Sequence, residues 1–304
     1  MTVKRLSPAK INLVLIVGDR MGSGFHALFS LVAPIAIFDT VIFDNAPVPL
    51  SRCYVTLDTY LANHLGPEGS ETFLGELSSE RNLAFRAAEA FFAATGRTPS
   101  GRLSIHKVIP PQAGLGGGSS NAAAVLLLLN DIFGQPLTRE NLLRLGAQLG
   151  SDVCLFLLEG WVVMEGRGEV VHRVKRPDWA DRYSLLLKKP LLGMSTREAY
   201  HRLNRKFCAL RNDSLEADGL MLVKELTNAE ELNYELLRND FEEAVALESW
   251  WQSGRDSLLS SGAKRALLCG SGSTICGFFS ATDFSGETGP ATSGDWWIAK
   301  TRLL

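Results

Sequence analysis

No two cysteines in this sequence stand at CxxC spacing. The five present, Cys53, Cys154, Cys208, Cys269 and Cys276, are scattered, odd in number and set mostly among apolar neighbours. That argues against a disulfide framework or a zinc site and for structural thiols in a reducing, cytoplasmic setting. The five histidines do not pair with cysteine at metal-ligand spacing, so no protein metal site is expected. Long apolar runs are missing too. The longest, Ala122 to Leu129, is far short of a bilayer span, and no hydrophobic block follows the first basic residues, so neither membrane insertion nor a secretory leader is expected. Charge of one sign is not in excess: 31 Lys and Arg face 33 Asp and Glu, a net charge of -2, which gives no bulk attraction to nucleic acid or anionic membrane. Internal repeats and low-complexity tracts are absent.

What is present is an ordinary globular composition, 46% hydrophobic and 21% charged. A chain of 304 residues exceeds one small core, and two domains are expected. The polar, Pro-containing stretch Lys175–Asp178 marks the expected boundary, giving domains 1–174 and 175–304.

The most distinctive stretch is Gly114-Leu115-Gly116-Gly117-Gly118-Ser119-Ser120-Asn121, which runs into the Ala/Leu block. Glycine lets backbone amides approach a ligand closely, and the apolar block is a strong helix former. A flexible loop feeding a helix N-terminus offers unpaired N–H groups and a positive dipole end, a natural phosphate site. A turn before a buried helix is the competing reading. The stretch is neither a Walker loop, which needs Lys-Ser/Thr after its last glycine, nor a dinucleotide fingerprint, because Asn121 stands where a third small residue belongs. Cationic charge for a phosphate must come from elsewhere.

Strands are expected at 3–17, 35–43, 53–57, 101–108, 183–187, 266–268, 275–279 and 296–300, with a hairpin at 161–174 around Gly166-Arg167-Gly168. Residues 18–24 read as a loop, and 45–80 as loop-rich. Helices are expected over 81–95, over 119–132, from a Thr138 cap to 149, from the Ser195–Glu198 capping box through Leu203, and over 214–250 with polar interruptions. Lys10 and Asn12 lie two apart on the first strand and share a face. Asp152 sits between a Gly-Ser turn and an apolar segment, where a helix cap is the alternative to a chemical role. Cys269-Gly270-Ser271-Gly272-Ser273 is either a hairpin turn or a second loop that approaches phosphate.

Three of these pieces, Pro8-Ala9-Lys10-Ile11-Asn12-Leu13, Pro110 through Asn121, and Cys269 through Ser273, resemble in order and spacing the motifs of the GHMP kinase superfamily, over most of the chain. Residues 8–13, 150–153, 166–169 and 239–242 are most similar to the branch that phosphorylates the 2-hydroxyl of 4-diphosphocytidyl-2-C-methyl-D-erythritol in non-mevalonate isoprenoid synthesis. The resemblance implies an α+β, two-domain fold, with a ribosomal protein S5 domain 2-like N-terminal domain and a ferredoxin-like C-terminal domain. It implies ATP as phosphoryl donor, Mg²⁺ with ligands the motifs do not identify, and a cytidine diphosphate sugar alcohol as small-molecule partner of a cytoplasmic monomer or weak homodimer.

By the same resemblance, Asn82 and Lys107 border the adenine. Pro110, Gly114, Leu115, Gly116, Gly117, Gly118, Ser119, Ser120 and Asn121 bind ATP, the Gly-rich loop and helix start taking its phosphates, with Ser119 and Ser120 adding hydroxyl contacts or helping to hold Mg²⁺. Asp152 is the base or orienter for the acceptor hydroxyl and Lys10 its cationic partner. Asn12, Phe25, His26, Asp152, Thr196, Tyr200, Gly270, Ser271 and Gly272 bind the acceptor, with Phe25 and Tyr200 stacking on the cytosine and His26 reading its edge. The chain departs from that branch at Phe25, where Tyr is common, at Cys154, where Pro is usual, and in the loop before Phe25, which lacks the usual Asp-Gly ending. Another small-molecule kinase of the superfamily, of homoserine or mevalonate type, and a non-catalytic nucleotide-binding regulator are the rival readings.

Overall fold

The computed structural model describes residues 1–21, 25–77, 81–191, 194–203, 213–283 and 289–304. Residues 22–24 of the first expected loop, and Cys208, lie outside them. The other four cysteines are buried and unbridged. The chain forms two compact units. One holds Met1–Ala9, Ile37–Pro111 and Gly116–Glu159; the other holds Lys10–Ala36, Gln112–Leu115 and Gly160–Leu304.

In the first unit run parts of β1 (Thr2–Arg20) and β2 (His26–Pro49), then β3 (Cys53–Leu57), α1 (Thr59–Leu77), α2 (Leu83–Thr95), β4 (Ser100–Lys107), α3 (Gly117–Ile132), α4 (Arg139–Leu149) and α5 (Ser151–Leu158). The second half of β2 pairs antiparallel with β4, Val41 opposite Ile105, and β3 lies parallel to β4, Val55 opposite Ile105. Helix α3 is buried almost all round, as a helix with no polar face must be. Helices α2 and α5 pack against it. Of residues 45–80, expected as loop-rich, 45–77 instead hold the end of β2, β3 and α1, and 78–80 lie outside the described residues. Helix α1 carries no clear apolar stripe and is broken at Gly66 before Pro67, which hides it from a periodicity reading.

The second unit takes the rest of β1 and β2, then β5 (Val162–Glu165), β6 (Val170–Arg173), β7 (Tyr183–Pro190), α6 (Thr196–Leu203), α7 (Asp213–Asn228), β8 (Arg238–Asn239), α8 (Phe241–Val245), α9 (Ser249–Ser260), β9 (Arg265–Leu268), β10 (Ile275–Ser280), β11 (Gly289–Ser293) and β12 (Trp296–Arg302). The β5–β6 hairpin adds to β2, Leu31 opposite Val163. The boundary expected at residue 175 therefore falls inside this unit. A polar, Pro-containing run signals a solvated segment, not where strand pairing stops.

The second sheet has the order β11-β12-β7-β10-β9 and is antiparallel throughout. Without β11 this is the ferredoxin-like order of fourth, first, third and second strand. Among the described residues the second crossover helix of that motif is replaced by a 3₁₀ turn and β11. Helix α9 covers one face through Leu258 and Trp251, which join a core with Ile275, Phe279 and Phe241. The helical pattern expected over 214–250 is interrupted by β8, whose two residues pair parallel with Val14 and Leu15.

Candidate functional site

In the first unit the Gly-rich stretch enters α3 with Gly116 as N-cap, and no side chain caps the helix. Its first N–H groups thus have no intrahelical acceptor. Gly118 in that first turn is exposed and Ser119 half-buried. A Cβ at Gly118 would make only an ordinary contact, with Leu83 at 3.9 Å, so there is room for one there. An uncapped helix start of this kind is able to take an anion.

The polar residues around it turn inward. Lys107 is buried and pairs with the carboxylate of Asp39, and its Nζ donates to Asn121 Oδ1 at 3.0 Å. Asp39 Oδ1 accepts the backbone N–H groups of Val108 and Ile109, at 2.8 and 2.9 Å. Asn121 Nδ2 donates to Asp39 Oδ2 and to Ser7 Oγ, each at 2.9 Å, and Ser7 Oγ donates to Ser120 Oγ at 2.8 Å. Asn82 caps α2: its Oδ1 accepts Ala84 N–H at 2.9 Å while Nδ2 donates to Leu77 O at 2.7 Å. Pro110 is buried beside this network. Burial pushes the Cys53 thiol up to about 12, against the pull of Lys107.

Asp152 lies half-buried in the first turn of α5, where a carboxylate favours the helix dipole. The cap is Gly150, so Asp152 is not spent as an N-cap. Cys154, in place of the family's proline, is buried and donates its Sγ–H to Leu143 O at 3.4 Å, joining α5 to α4.

In the second unit the buried Lys10 donates to Asn12 Oδ1 at 2.8 Å; Asn12 Nδ2 donates to Ser30 Oγ at 2.8 Å, and Ser30 Oγ to Val14 O at 2.7 Å. This relay fixes the ammonium on the shared face of β1. Residues 112–115 run beside the loop between β9 and β10. Lys10 N–H donates to Leu115 O at 3.0 Å, and Thr274 N–H to Ala113 O at 3.3 Å. Gly114 has φ +72°, and a Cβ there would collide with the Cys269 carbonyl. A Cβ on Gly270 would come within 3.1 Å of Lys10 Nζ. The second Gly/Ser loop is therefore no plain hairpin turn; its buried Gly270 and Gly272 let it pack against the start of the first Gly-rich stretch. Thr196 and Ser271 share a hydroxyl–hydroxyl bond of 2.9 Å that ties α6 to this loop.

His26 stacks on Tyr200, ring centroids 5.2 Å apart at 22°. Its Nδ1 lies 3.1 Å from the Gly18 carbonyl. A carbonyl only accepts, so Nδ1 carries the hydrogen, and in the neutral ring Nε2 keeps a lone pair. Phe25 is not in that stack. Its ring is 58% exposed and lies under the Arg167 guanidinium, 5.4 Å from the centroid. Glu169 holds Arg167 through bonds of 2.6 Å to its amide and 3.1 Å to Nε.

Residues 239–242 brace this half. Asn239 Nδ2 donates to Leu268 O and Gly270 O, both at 2.7 Å. Asp240 Oδ2 accepts Val17 N–H at 3.0 Å. The Phe241 ring meets Tyr200 edge-on at 4.9 Å. Glu242 accepts Leu268 N–H at 3.0 Å and Arg265 at 3.1 Å; burial raises its pKa despite that arginine.

The structure thus gathers Lys10, Asn12, Gly270, Thr196 and Ser271, and separately His26 with Tyr200. It sets Lys107, Ser120 and Asn121 in one buried network. Ser30, Asp39 and Asn239 were missed as site residues. Asp39 had a readable signal: it shares the parity of Ile37, Val41 and Phe43 on β2, a carboxylate at an inward position. Among the described residues no group of three or more His, Cys, Asp or Glu could hold a metal ion.

Residues 82–160 match the family of GHMP kinases N terminal domains. A 4-diphosphocytidyl-2-C-methyl-D-erythritol kinase of Desulfitobacterium hafniense (strain Y51) is 36% identical over 278 residues, covering 90% of this chain and 86% of its own. One of the same name from Methylacidiphilum infernorum (isolate V4) is 35% identical over 92% of this chain and 88% of its own. A crystal structure of 4-(cytidine 5'-diphospho)-2C-methyl-D-erythritol kinase superposes with a TM-score of 0.68 at 27% identity, covering 99% of each chain. Homoserine kinase from Cytophaga hutchinsonii, at 17% identity and a TM-score of 0.64 over 93% of this chain and 86% of its own, shares the fold.

Proposed function

Because the chain belongs to the GHMP kinases, and within them to the 4-diphosphocytidyl-2-C-methyl-D-erythritol kinase family, we propose that it phosphorylates the 2-hydroxyl of 4-diphosphocytidyl-2-C-methyl-D-erythritol with ATP, a step of non-mevalonate isoprenoid precursor synthesis. The observation that carries the choice of acceptor is the His26–Tyr200 stack. His26 Nε2 is an acceptor suited to an exocyclic amino group, which cytosine has and homoserine or mevalonate lacks as a base. Tyr200 and Phe25 supply ring faces, and stacking needs only the ring.

Asn82, Lys107, Pro110 and residues 114–121 form the nucleotide side, and the uncapped α3 end takes the phosphates. Transfer requires one cation for developing charge and one group for the hydroxyl proton. Lys10 takes the first role and Asp152 the second. Asn12, Thr196, Gly270, Ser271 and Gly272 orient the acceptor. Mg²⁺, which the family implies, supplies further neutralisation of phosphate charge, and the half-buried Ser119 hydroxyl is the group on α3 suited to it. A net charge of -2 supports a reading without nucleic-acid partners, and no described helix is long and apolar enough to cross a membrane. We read the protein as a cytoplasmic monomer or weak homodimer.

The test is ADP release with the cytidylyl acceptor, with homoserine and with mevalonate. Turnover with the first alone is expected. Asp152→Asn and Lys10→Met should each lower kcat by about 10²–10³-fold. Equal turnover with homoserine, or an Asp152→Asn variant of full activity, overturns the assignment.

A further inference from the structure

We infer that Asp39 is the positioning residue of the phosphate-binding end of α3, fixing both flanks of the Gly-rich stretch from a single buried carboxylate. This rests on the reading of that helix end as the ATP phosphate site. The four bonds of Asp39 go to the loop's two sides, and none of them goes to a glycine of the loop. On the entry side are the N–H groups of Val108 and Ile109, at 2.8 and 2.9 Å. On the exit side is Asn121 Nδ2, at 2.9 Å, in the first turns of α3. The fourth is Lys107, whose Nζ reaches across to Asn121 Oδ1 at 3.0 Å. A carboxylate offers about four acceptor positions, so Asp39 is saturated.

The side chains of Asp39, Lys107, Ser120 and Asn121 are all buried, and the buried Ser7 extends the network from β1 to Ser120. The ammonium of Lys107 backs the helix start: a Cβ on Gly117 would sit 3.2 Å from its Nζ. Lys107 and Asn121 therefore act on the nucleotide through loop shape, their charge and amide already committed to Asp39. A buried ion pair that only held the fold together would not need to spend two of its acceptor positions on consecutive loop amides.

The experiment measures ATP dissociation constants by calorimetry, steady-state KM and kcat, and unfolding midpoints on the full chain. Asp39→Asn keeps an oxygen for Val108 and Ile109 but turns an NH₂ group toward Lys107. The Kd and KM for ATP are expected to rise at least 10-fold while KM for the acceptor stays within 2-fold. Adding Lys107→Met removes the repulsion and lets residue 39 donate to Asn121, so the double variant should recover at least 3-fold in ATP affinity over Asp39→Asn alone. Leu142→Ala, a core truncation in the same unit, should lower the unfolding midpoint and leave ATP affinity unchanged. An Asp39→Asn variant that merely loses stability like Leu142→Ala, or a double variant with no recovery, overturns the inference. If Asp39→Asn does not fold, Ser7→Ala replaces it, with a 3- to 10-fold weaker Kd expected and an unchanged Kd overturning the proposal. A parent chain that binds no ATP sinks the functional reading itself, a result distinct from variants that fail to differ.

Discussion

Lys189 on β7 is a charged side chain in a place that suits none. It is buried opposite Trp297, and among the described residues its ammonium bonds only to the Pro190 carbonyl, at 2.9 Å. Burial pulls its pKa down to about 8. The folded chain therefore releases this proton before the unfolded chain does. Below about pH 8 both states hold it and the folded state bears the whole penalty, on the order of 3 kcal/mol at 1.4 kcal/mol per pKa unit. From about pH 8 to 10.5 the penalty fades and this residue's share of stability rises with pH. Lys189→Met should be more stable than the parent at pH 7 by about 1–3 kcal/mol, and should flatten the rise between pH 8 and 10.5. Urea titrations at pH 7 and pH 10 check both; a less stable variant at pH 7 would contradict the burial argument. Arg167 presents the opposite case, an exposed cation over Phe25 in a loop turn. Its loss is expected to raise KM for a base-bearing acceptor by only about 2–5-fold, since exposed cation–π contacts are worth ~0.5–1 kcal/mol.

At the scale of elements, two glycines of one stretch have opposite reasons to be glycine. Gly114 has a left-handed φ and a carbonyl where a Cβ would go, so Gly114→Ala should displace the 269–274 loop and lower the melting temperature by several degrees. Gly118 has helical backbone and room for a Cβ, so Gly118→Ala should melt like the parent, yet its methyl would lie where phosphate is proposed and should weaken ATP binding. Thermal melts beside nucleotide titrations separate the two. Strongly patterned elements were legible in the sequence. The capping box opens α6, with Glu198 N–H on Ser195 Oγ at 3.2 Å, and Thr138 caps α4. Helix α1 and the two-residue β8 were not legible: the first lacks a clear apolar stripe, and the second is defined by its partner on β1. The family motifs named Lys10, His26 and the glycines as candidates. They did not reveal that Asn121 and Lys107 face Asp39, because that contact joins residues 68 and 82 positions apart.

For the molecule as a whole, β1 changes unit between Ala9 and Lys10, and β2 between Ala36 and Ile37. A fragment of residues 1–174 would carry the second-unit parts of both strands without β8, the β1 partner that contains Asn239, and without Asp240 beside it. Neither it nor 175–304 is expected to unfold cooperatively alone. Calorimetry of the separate and mixed fragments tests this, and a sharp transition in 1–174 alone would contradict it.

The bonds from Val108 and Ile109 to Asp39 also have a consequence in time. Amide protons locked onto a buried carboxylate exchange with solvent only when the surrounding structure opens. In deuterium labelling these two neighbours should therefore stay dark long after the adjoining glycines have exchanged. Added ATP should slow Gly117 and Gly118 and leave this pair as it was. The pair is a built-in clock for the frame, against which movement of the glycines alone can be read.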